Sequence, residues 1–311
     1  MRQRPETSKD IRTSTRSLQT ASWYNAGMAE LQTQPAITRR AAVLGSPIKH
    51  SLSPALHNAA YRALGLRGWH YDMIECDEPG LPRLVGGLGL EWAGLSLTMP
   101  LKRVALTVAD EVSPLARAIG AANTLVFPAG GPAGGRRAEN TDVTGLVLAL
   151  REAGLVRAEQ PVILGAGGTA QSALAAVREL GHNNPVVLVR DIARTGELRE
   201  TAGRLGMQPV ISGTLFTEPL PAADLVISTL PSGAADSLSS TRWHRGAVVL
   251  DVVYAPWPTV FAGSALAAGC PVVSGLTMLL YQAAAQVELM TGQPGPVEPM
   301  RAALDAAVAA R

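Results

Sequence analysis

The chain has 311 residues, of which 47% are hydrophobic and 17% charged, and its formal net charge is +2. This composition supplies a core for two ordinary domains and argues against a disordered protein. So small a charge, with no Lys/Arg stripe, argues against nucleic-acid binding, and no apolar run reaches the length of a membrane span. Cys76 and Cys270 lie far apart without metal-ligand spacing. We therefore expect no metal site and a reduced, cytoplasmic protein.

Residues 1–38 differ in composition from the rest of the chain. They are rich in Arg, Ser, Thr and Gln, poor in acids, and show no sustained apolar period. An organelle transit peptide has this composition, but terminal extensions of the same kind are common, and Met28 is available as a later start. We expect a disordered tail here and leave it out of the fold prediction.

From Ala41 onward, short apolar runs alternate with longer amphipathic stretches. In the first half this pattern predicts helices at 54–64, from Pro100, and at 143–153, and strands at 41–44, 71–75, 95–97 and 125–127. Residues 128–137, rich in Gly, Pro and Arg, predict a hairpin-like loop. The alternation indicates an α/β protein with mainly parallel sheets and helices on both faces.

The second half has the regular order of a doubly wound nucleotide-binding domain. A buried strand is followed by a glycine turn and a helix through Leu180, and a long helix at 276–290 precedes an Ala-rich helix at 300–311. Further strands are predicted at 186–189, Leu225–Ser228 and 247–253. Since this domain occupies the second half, the first half is left to bind substrate.

The turn after the strand at Pro161–Leu164 predicts a dinucleotide site. Gly165 permits a tight turn, Gly167 lets the backbone approach a pyrophosphate, and Ala170 fills the third small position. Free amide groups and the helix dipole then favour the anion. The alternative is a glycine turn that serves chain reversal alone. The whole candidate loop comprises Gly165, Ala166, Gly167, Gly168, Thr169 and Ala170.

The end of the next strand bears on which nucleotide binds. Arg190 and Arg194 suit a 2′-phosphate, because a guanidinium pairs with its oxygens, and this favours NADP. Asp191 supplies a carboxylate of the kind that binds the ribose of NAD, so the preference for NADP stays open to test. The arginines are alternatively a solvated turn.

Several polar segments in the first half are candidates for substrate chemistry. Ser51 and Ser53 flank Leu52, so an extended backbone points both hydroxyls to one side. Pro54 is typical of a first helical residue, which makes Ser53 a candidate N-cap, whereas Ser51 has no comparable structural role. Asn123, ahead of a strand, is compatible with a turn.

Lys102 and Asp142 form the candidate catalytic pair. If Pro100 opens a helix with Thr98 as its cap, Lys102 lies in the first turn, where the helix dipole disfavours a cation. A lysine in that position suits proton transfer when a carboxylate balances it. Asp142 would be that carboxylate, although it is equally suited to cap the helix that follows it. An exposed lysine beside Arg103 is the alternative interpretation.

Seven segments, in this order along residues 43–292, together resemble the shikimate dehydrogenase family. They are Gly45-Ser-Pro-Ile-Lys-His-Ser51-Leu-Ser53-Pro54-Ala-Leu-His57-Asn58, Thr98-Met-Pro100-Leu-Lys102, Gly120-Ala-Ala-Asn123-Thr124, Asn140-Thr141-Asp142-Val-Thr-Gly145, Gly165-Ala-Gly167-Gly168-Thr169-Ala170, Asp251-Val-Val-Tyr254-Ala-Pro256 with Thr259, and Gly275-Leu-Thr-Met278-Leu279-Leu-Tyr-Gln282-Ala283.

The resemblance implies an enzyme that reduces 3-dehydroshikimate with NADPH to shikimate, a step towards aromatic amino acids. It implies a substrate domain of residues 39–141 and 276–311, to which the last helices return, and a Rossmann NADP domain of residues 142–275. Lys102 and Asp142 are then the catalytic pair, and Gly275 joins the cofactor site. The implied substrate ligands are Ser51, Ser53, Thr98, Asn123, Tyr254 and Gln282.

The chain departs from the family pattern at three places. Ser96 replaces the asparagine of the usual Asn-Val-Thr, the second strand ends Val189-Arg190-Asp191 in place of Asn-Arg-Thr, and Met290 replaces a common tryptophan. The rivals are an NAD-dependent quinate or shikimate catabolic dehydrogenase, a diverged member with another substrate, a non-catalytic nucleotide sensor, and a folate-linked dehydrogenase. We expect a small-molecule partner, no nucleic acid and no membrane. The assembly is left open, with a homodimer as one option.

Overall fold

A computed structural model describes residues 37–311 of the chain. Its elements form two six-stranded sheets covered by helices, which confirms the predicted α/β class. A disordered tail was expected at residues 1–38, and its first 36 residues lie outside the described part of the chain. None of the helices within residues 37–311 combines the length and the hydropathy that a membrane span requires.

The first sheet is mixed, whereas the sequence pattern predicted mainly parallel strands. Its strand order is β2-β1-β3-β5-β6-β4, and β5 pairs antiparallel with both β3 and β6. The Gly/Pro-rich segment 128–136 turns the chain back between β5 and β6, as its composition predicted. The strands are β1 (Arg39–Gly45), β2 (Trp69–Glu75), β3 (Trp92–Leu97), β4 (Glu111–Val112), β5 (Thr124–Val126) and β6 (Arg137–Glu139).

The second sheet is parallel throughout, with the order β12-β11-β10-β7-β8-β9. The order reverses between β7 and β10, and in a doubly wound sheet the nucleotide binds in the crevice at that reversal. The strands are β7 (Pro161–Leu164), β8 (Val186–Leu188), β9 (Val210–Ser212), β10 (Leu225–Ser228), β11 (Val248–Asp251) and β12 (Val272–Ser274).

The helices complete both halves, and the last two return to the first half as the resemblance implied. They are α1 (Ser53–Ala63), α2 (Gly80–Gly86), α3 (Ala105–Val108), α4 (Pro114–Ile119), α5 (Asp142–Glu152), α6 (Gly168–Glu179), α7 (Gly196–Leu205), α8 (Val260–Ala267), α9 (Gly275–Thr291) and α10 (Val297–Ala309). Leu56 of α1, Leu280 of α9 and Met300 of α10 are fully buried in one apolar cluster. Burial of this cluster fixes α9 across the sheet of the first half.

Pro100 does not open a helix, which corrects the sequence prediction. Residues 99–104 form turns, and α3 begins only at Ala105. The Lys102 carbonyl accepts the Ala122 amide at 2.7 Å, so this tertiary contact takes an acceptor that a helix would use. The argument that a helix dipole disfavours the Lys102 charge therefore does not apply.

The buried His57 should make the free energy of unfolding depend measurably on pH in the acid range. Its side chain is fully buried in α1, and burial lowers its pKa from 6.5 to about 3. Below pH 6.5 the unfolded chain therefore takes up a proton that the folded chain refuses, so stability falls as the pH falls towards 3. We expect a loss of about 1.4 kcal/mol per pH unit from this group, or about 2 kcal/mol between neutral pH and pH 5.

Urea unfolding between pH 7 and pH 5 measures this effect, with His57→Gln as the variant that cannot titrate. The variant loses packing, but its stability should change less with pH, because one proton fewer is bound on unfolding. Equal pH slopes for the two proteins would contradict a neutral, buried His57.

Candidate active site

A cavity of about 350 Å³ lies between the two halves of the chain. It is lined from β3, the turn after it, the start of α5 and the inner face of α9. The structure brings together all eight residues that the sequence proposed for substrate and catalysis: Ser51, Ser53, Thr98, Lys102, Asn123, Asp142, Tyr254 and Gln282.

Lys102 and Asp142 form an ion pair at this cavity. The Lys102 Nζ donates to Asp142 Oδ2 at 2.6 Å, and the side chains are 23% and 7% exposed. Asp142 is the first residue of α5, and Thr141 holds the cap position, so the capping alternative for Asp142 is wrong. The carboxylate is stabilised there by the helix N-terminus and by the ammonium group. An ammonium has three donors, so Lys102 keeps hydrogens that can reach a ligand.

Asn123 holds the other oxygen of the carboxylate. Its Nδ2 donates to Asp142 Oδ1 at 2.9 Å and to Gln282 Oε1 at 3.2 Å. Its Oδ1 accepts the Thr141 amide at 2.8 Å, which fixes which end of the Asn123 side chain faces Asp142. Polar groups from three separate elements are thus locked into one orientation.

The two serines exchange the structural roles that the sequence suggested. Helix α1 begins at Ser53 itself, and the preceding residue, Leu52, provides no side-chain cap, so the N-cap alternative for Ser53 is wrong. Ser51 does have a local role, because its Oγ accepts the Ser53 amide at 3.3 Å. Ser53 is buried, and both residues line the cavity.

Tyr254 lies on a loop that Asp251 anchors at the end of β11. The Thr259 hydroxyl donates to Asp251 Oδ2 at 2.7 Å, and the Val253 amide donates to Oδ1 at 3.2 Å. Burial raises the pKa of Asp251, and the hydroxyl and amide donors offset part of that rise. Thr259 also caps α8 by accepting the Ala262 amide, so one residue ties the loop to the helix that follows it.

A second cavity, of about 710 Å³, opens at the reversal of the parallel sheet. It is lined by Gly165, Ala166 and Gly167 on one side and by Arg190 and Arg194 on the other. Gly165 has φ +108°, and a Cβ there would lie 2.5 Å from the Thr229 hydroxyl, so the turn needs glycine. Both arginines are exposed at the mouth. Bare backbone and cations suit a phosphate-bearing dinucleotide.

The other predicted cofactor residues lie elsewhere. Thr169 and Gly275 line the first cavity, Gly168 begins α6, and Ala170 is fully buried in the core. Ala170 is thus placed to let the helix pack closely, and its side chain does not face the cavity.

Asp191 is exposed and lines the second cavity. It is the N-cap of a short 3₁₀ turn, and its Oδ1 accepts the Ala193 amide at 2.9 Å. The local backbone therefore takes only one oxygen of the carboxylate that favoured NAD in the sequence, and the preference for NADP is left to experiment.

Sequence reasoning missed several residues of the two cavities. Gln286 lines the first cavity, and its spacing of four from Gln282 on one helix was a usable signal. Leu215 and Phe216 line the second, and nothing in their local sequence marked them.

A parallel sheet that opens on a glycine turn, beside a cavity with a lysine–carboxylate pair, defines a dinucleotide-dependent oxidoreductase. The model of the shikimate dehydrogenase substrate binding domain matches residues 43–125, and that of the shikimate 5′-dehydrogenase C-terminal domain matches residues 275–304. Together with the relatives below, these matches show that the chain belongs to the shikimate dehydrogenase family.

Relatives along most of the chain agree. The shikimate dehydrogenase (NADP(+)) of Caulobacter vibrioides is 40% identical over 264 residues, which cover 82% of this chain and 90% of the relative. The crystal structure of Mycobacterium tuberculosis shikimate dehydrogenase is 43% identical, with a TM-score of 0.76 over 86% of this chain and 99% of that one. The Thermus thermophilus enzyme, solved with NADP(H) and shikimate, is 31% identical, with a TM-score of 0.74 over 86% and 99%.

Proposed function

We propose that this chain catalyses the reversible reduction of 3-dehydroshikimate to shikimate with NADPH. The observation that carries the proposal is the Lys102–Asp142 ion pair, which faces a polar cavity reached by the start of the nucleotide-binding helix α6 through Thr169. A ketone reduced there needs a proton donor for its oxygen, and the pair supplies one.

The polar groups of the first cavity divide between the two ends of the substrate. Ser51 and Ser53 bind the carboxylate, with Tyr254 near that end, and this part of the cavity carries hydroxyl donors. The ring hydroxyls bind Thr98, Asn123 and Gln282, which offer both donors and acceptors. This arrangement orients the ring so that its carbonyl lies at Lys102.

The second cavity fits NADP. Gly165–Gly167 leave the backbone open for a pyrophosphate, and Arg190 with Arg194 would hold the 2′-phosphate. The bound nucleotide supplies the hydride to the ring carbon.

Lys102 transfers the proton that completes the reduction. As negative charge grows on the carbonyl oxygen, the Lys102 ammonium stabilises it and donates a proton from Nζ. Asp142 holds Lys102 in place through Oδ2, while Asn123 fixes Oδ1. In the oxidation of shikimate the same Nζ, now neutral, takes the hydroxyl proton back.

We further propose a cytoplasmic location, and a homodimer is one option for the assembly. The first is supported by the two buried cysteines, Cys76 and Cys270, which form no disulfide with each other. The second is an expectation that light scattering on the purified protein tests directly.

The deciding experiment follows absorbance of the nicotinamide band with shikimate or quinate, each with NADP and with NAD. Rapid turnover with shikimate and NADP alone supports the proposal. Turnover with quinate and NAD would show that both the proposed substrate and the proposed cofactor are wrong. Inactivity in every pairing would indicate a diverged member of the family with another substrate.

A further inference from the structure

Ser96 lies on the floor of the first cavity and is only 4% exposed. Its Oγ accepts a hydrogen bond from the Tyr71 hydroxyl at 2.6 Å and donates one to Gln286 Oε1 at 2.8 Å. The neighbouring Lys102–Asp142 pair includes neither Ser96 nor Tyr71. The catalytic scheme therefore leaves this hydroxyl unexplained.

Gln286 fixes the direction in which Ser96 donates. The Gln286 Nε2 donates to Thr124 Oγ1 at 2.9 Å and to the Asn123 carbonyl at 3.2 Å. With its amide hydrogens committed to the sheet, Gln286 can turn only its oxygen to Ser96. The single hydroxyl hydrogen of Ser96 is therefore used in the hydrogen bond to Gln286 Oε1.

Tyr71 fixes one acceptor site of the same hydroxyl. Its side chain is 1% exposed, and its ring stacks on the His57 imidazole with centroids 3.9 Å apart and planes 14° apart. Burial raises the pKa of Tyr71 well above 10, so its hydroxyl stays protonated and remains a donor. A hydroxyl has one hydrogen and two lone pairs, so Ser96 keeps one lone pair and no hydrogen for a ligand.

We propose that Tyr71 and Gln286 hold Ser96 as an acceptor, which makes it a specificity-determining residue. This inference rests on the proposed function. The floor of the cavity thereby favours a polyhydroxylated ring acid that has a hydroxyl placed to donate a hydrogen bond to Ser96 Oγ. A ring that presents a carbonyl or no polar group there loses the contact.

Shikimate analogues that each lack one of the ring hydroxyls that are not oxidised test the contact, because they keep the reacting hydroxyl and still turn over. Ser96→Ala should raise KM for shikimate about fivefold, the size of one lost hydrogen bond, with kcat within about twofold. For the one analogue that lacks the hydroxyl bound by Ser96, the substitution should leave KM unchanged. An equal effect on shikimate and on every analogue would overturn the proposal.

Tyr71→Phe tests the positioning, with Tyr61→Phe as its matched control. Tyr61 is buried in the same apolar cluster, and its hydroxyl has no partner among the described residues, so the control removes a buried hydroxyl without cutting the network. Tyr71→Phe frees a lone pair of Ser96 and lets its hydroxyl rotate. The quantity compared is the ratio of the KM for the analogue that lacks the hydroxyl bound by Ser96 to the KM for shikimate. We expect this ratio to fall about threefold or more in Tyr71→Phe and to stay unchanged in Tyr61→Phe.

The same ratio of KM values in Tyr71→Phe and Tyr61→Phe would show that Tyr71 has only a structural role. That result would contradict the proposal that Tyr71 orients Ser96. Thermal unfolding by circular dichroism checks that each variant folds, and Ser96→Ala carries the test if Tyr71→Phe does not. A wild-type protein inactive on shikimate with NADP and with NAD would remove the proposed function and this inference together. An active wild type with unaltered variants would remove the inference alone.

Discussion

Replacing Lys102 by alanine is expected to lower kcat by about two to four orders of magnitude, the range of general acid catalysis. The substitution removes the ammonium that pairs with Asp142 and leaves that buried carboxylate facing the substrate. NADPH affinity should stay within about twofold, because Lys102 lies on the first cavity while the glycine turn and the arginines line the second. Steady-state kinetics and fluorescence titration of NADPH measure the two quantities separately.

Arg103→Ala is the matched control for this prediction. It removes the adjacent cation, whose side chain is 60% exposed and pairs with Glu197 on the surface, and exposed pairs contribute little. We expect its kcat to stay near that of the wild type. Near-normal turnover in Lys102→Ala, or a comparable loss in Arg103→Ala, would refute the assignment of Lys102 as proton donor.

Much of the second half was predictable from local sequence. The strands Pro161–Leu164 and Leu225–Ser228 were predicted with the bounds that they have in the structure, because they are fully buried apolar runs and the first ends at a glycine turn. The strands Glu111–Val112 and Val210–Ser212 were missed, because segments so short carry no period. Their pairing depends on neighbours distant in the chain.

The candidate pair was found through a local argument that the structure does not support. Lys102 is held by a turn and by the Ala122 amide, so its position in a helix played no part. What selects it is the approach of Asp142, forty residues later, which no spacing rule foresees. The sequence offered Asp142 only as one possible counter-charge, and the resemblance to a family named the same pair, since a family pattern reflects tertiary contacts that a single sequence does not reveal.

The network at the cavity floor was out of reach of sequence reasoning for the same reason. Ser96 was noticed only as a departure from the family pattern, and its partners Tyr71 and Gln286 lie 25 and 190 residues away. Whether a buried serine donates or accepts depends on those partners. Composition and periodicity contain neither piece of information.

The second large effect is expected on nucleotide binding, when Arg190 at the second cavity is replaced. Arg190→Ala is expected to weaken NADPH binding about 10- to 100-fold and to leave NADH binding within about twofold. Arg190 is exposed at the mouth of the second cavity, where its guanidinium can pair with a 2′-phosphate that NADH lacks. Hydrogen bonds to charged groups contribute about 1.5–3 kcal/mol, which corresponds to that range.

Titration of each nucleotide against wild type, Arg190→Ala and Arg178→Ala makes the comparison. Arg178 is an exposed arginine near the end of α6, outside the residues that line the second cavity, so it controls for a change in net charge. Equal losses for NADPH and NADH would mean that Arg190 does not read the 2′-phosphate. Removing Arg190 takes away a contact to the 2′-phosphate and adds no contact to NADH, because Asp191 already lines the cavity with one oxygen bound to the Ala193 amide. The preference for NADPH over NADH should therefore fall towards equality, and a reversal in favour of NADH would show that the Asp191 carboxylate binds the ribose of NADH.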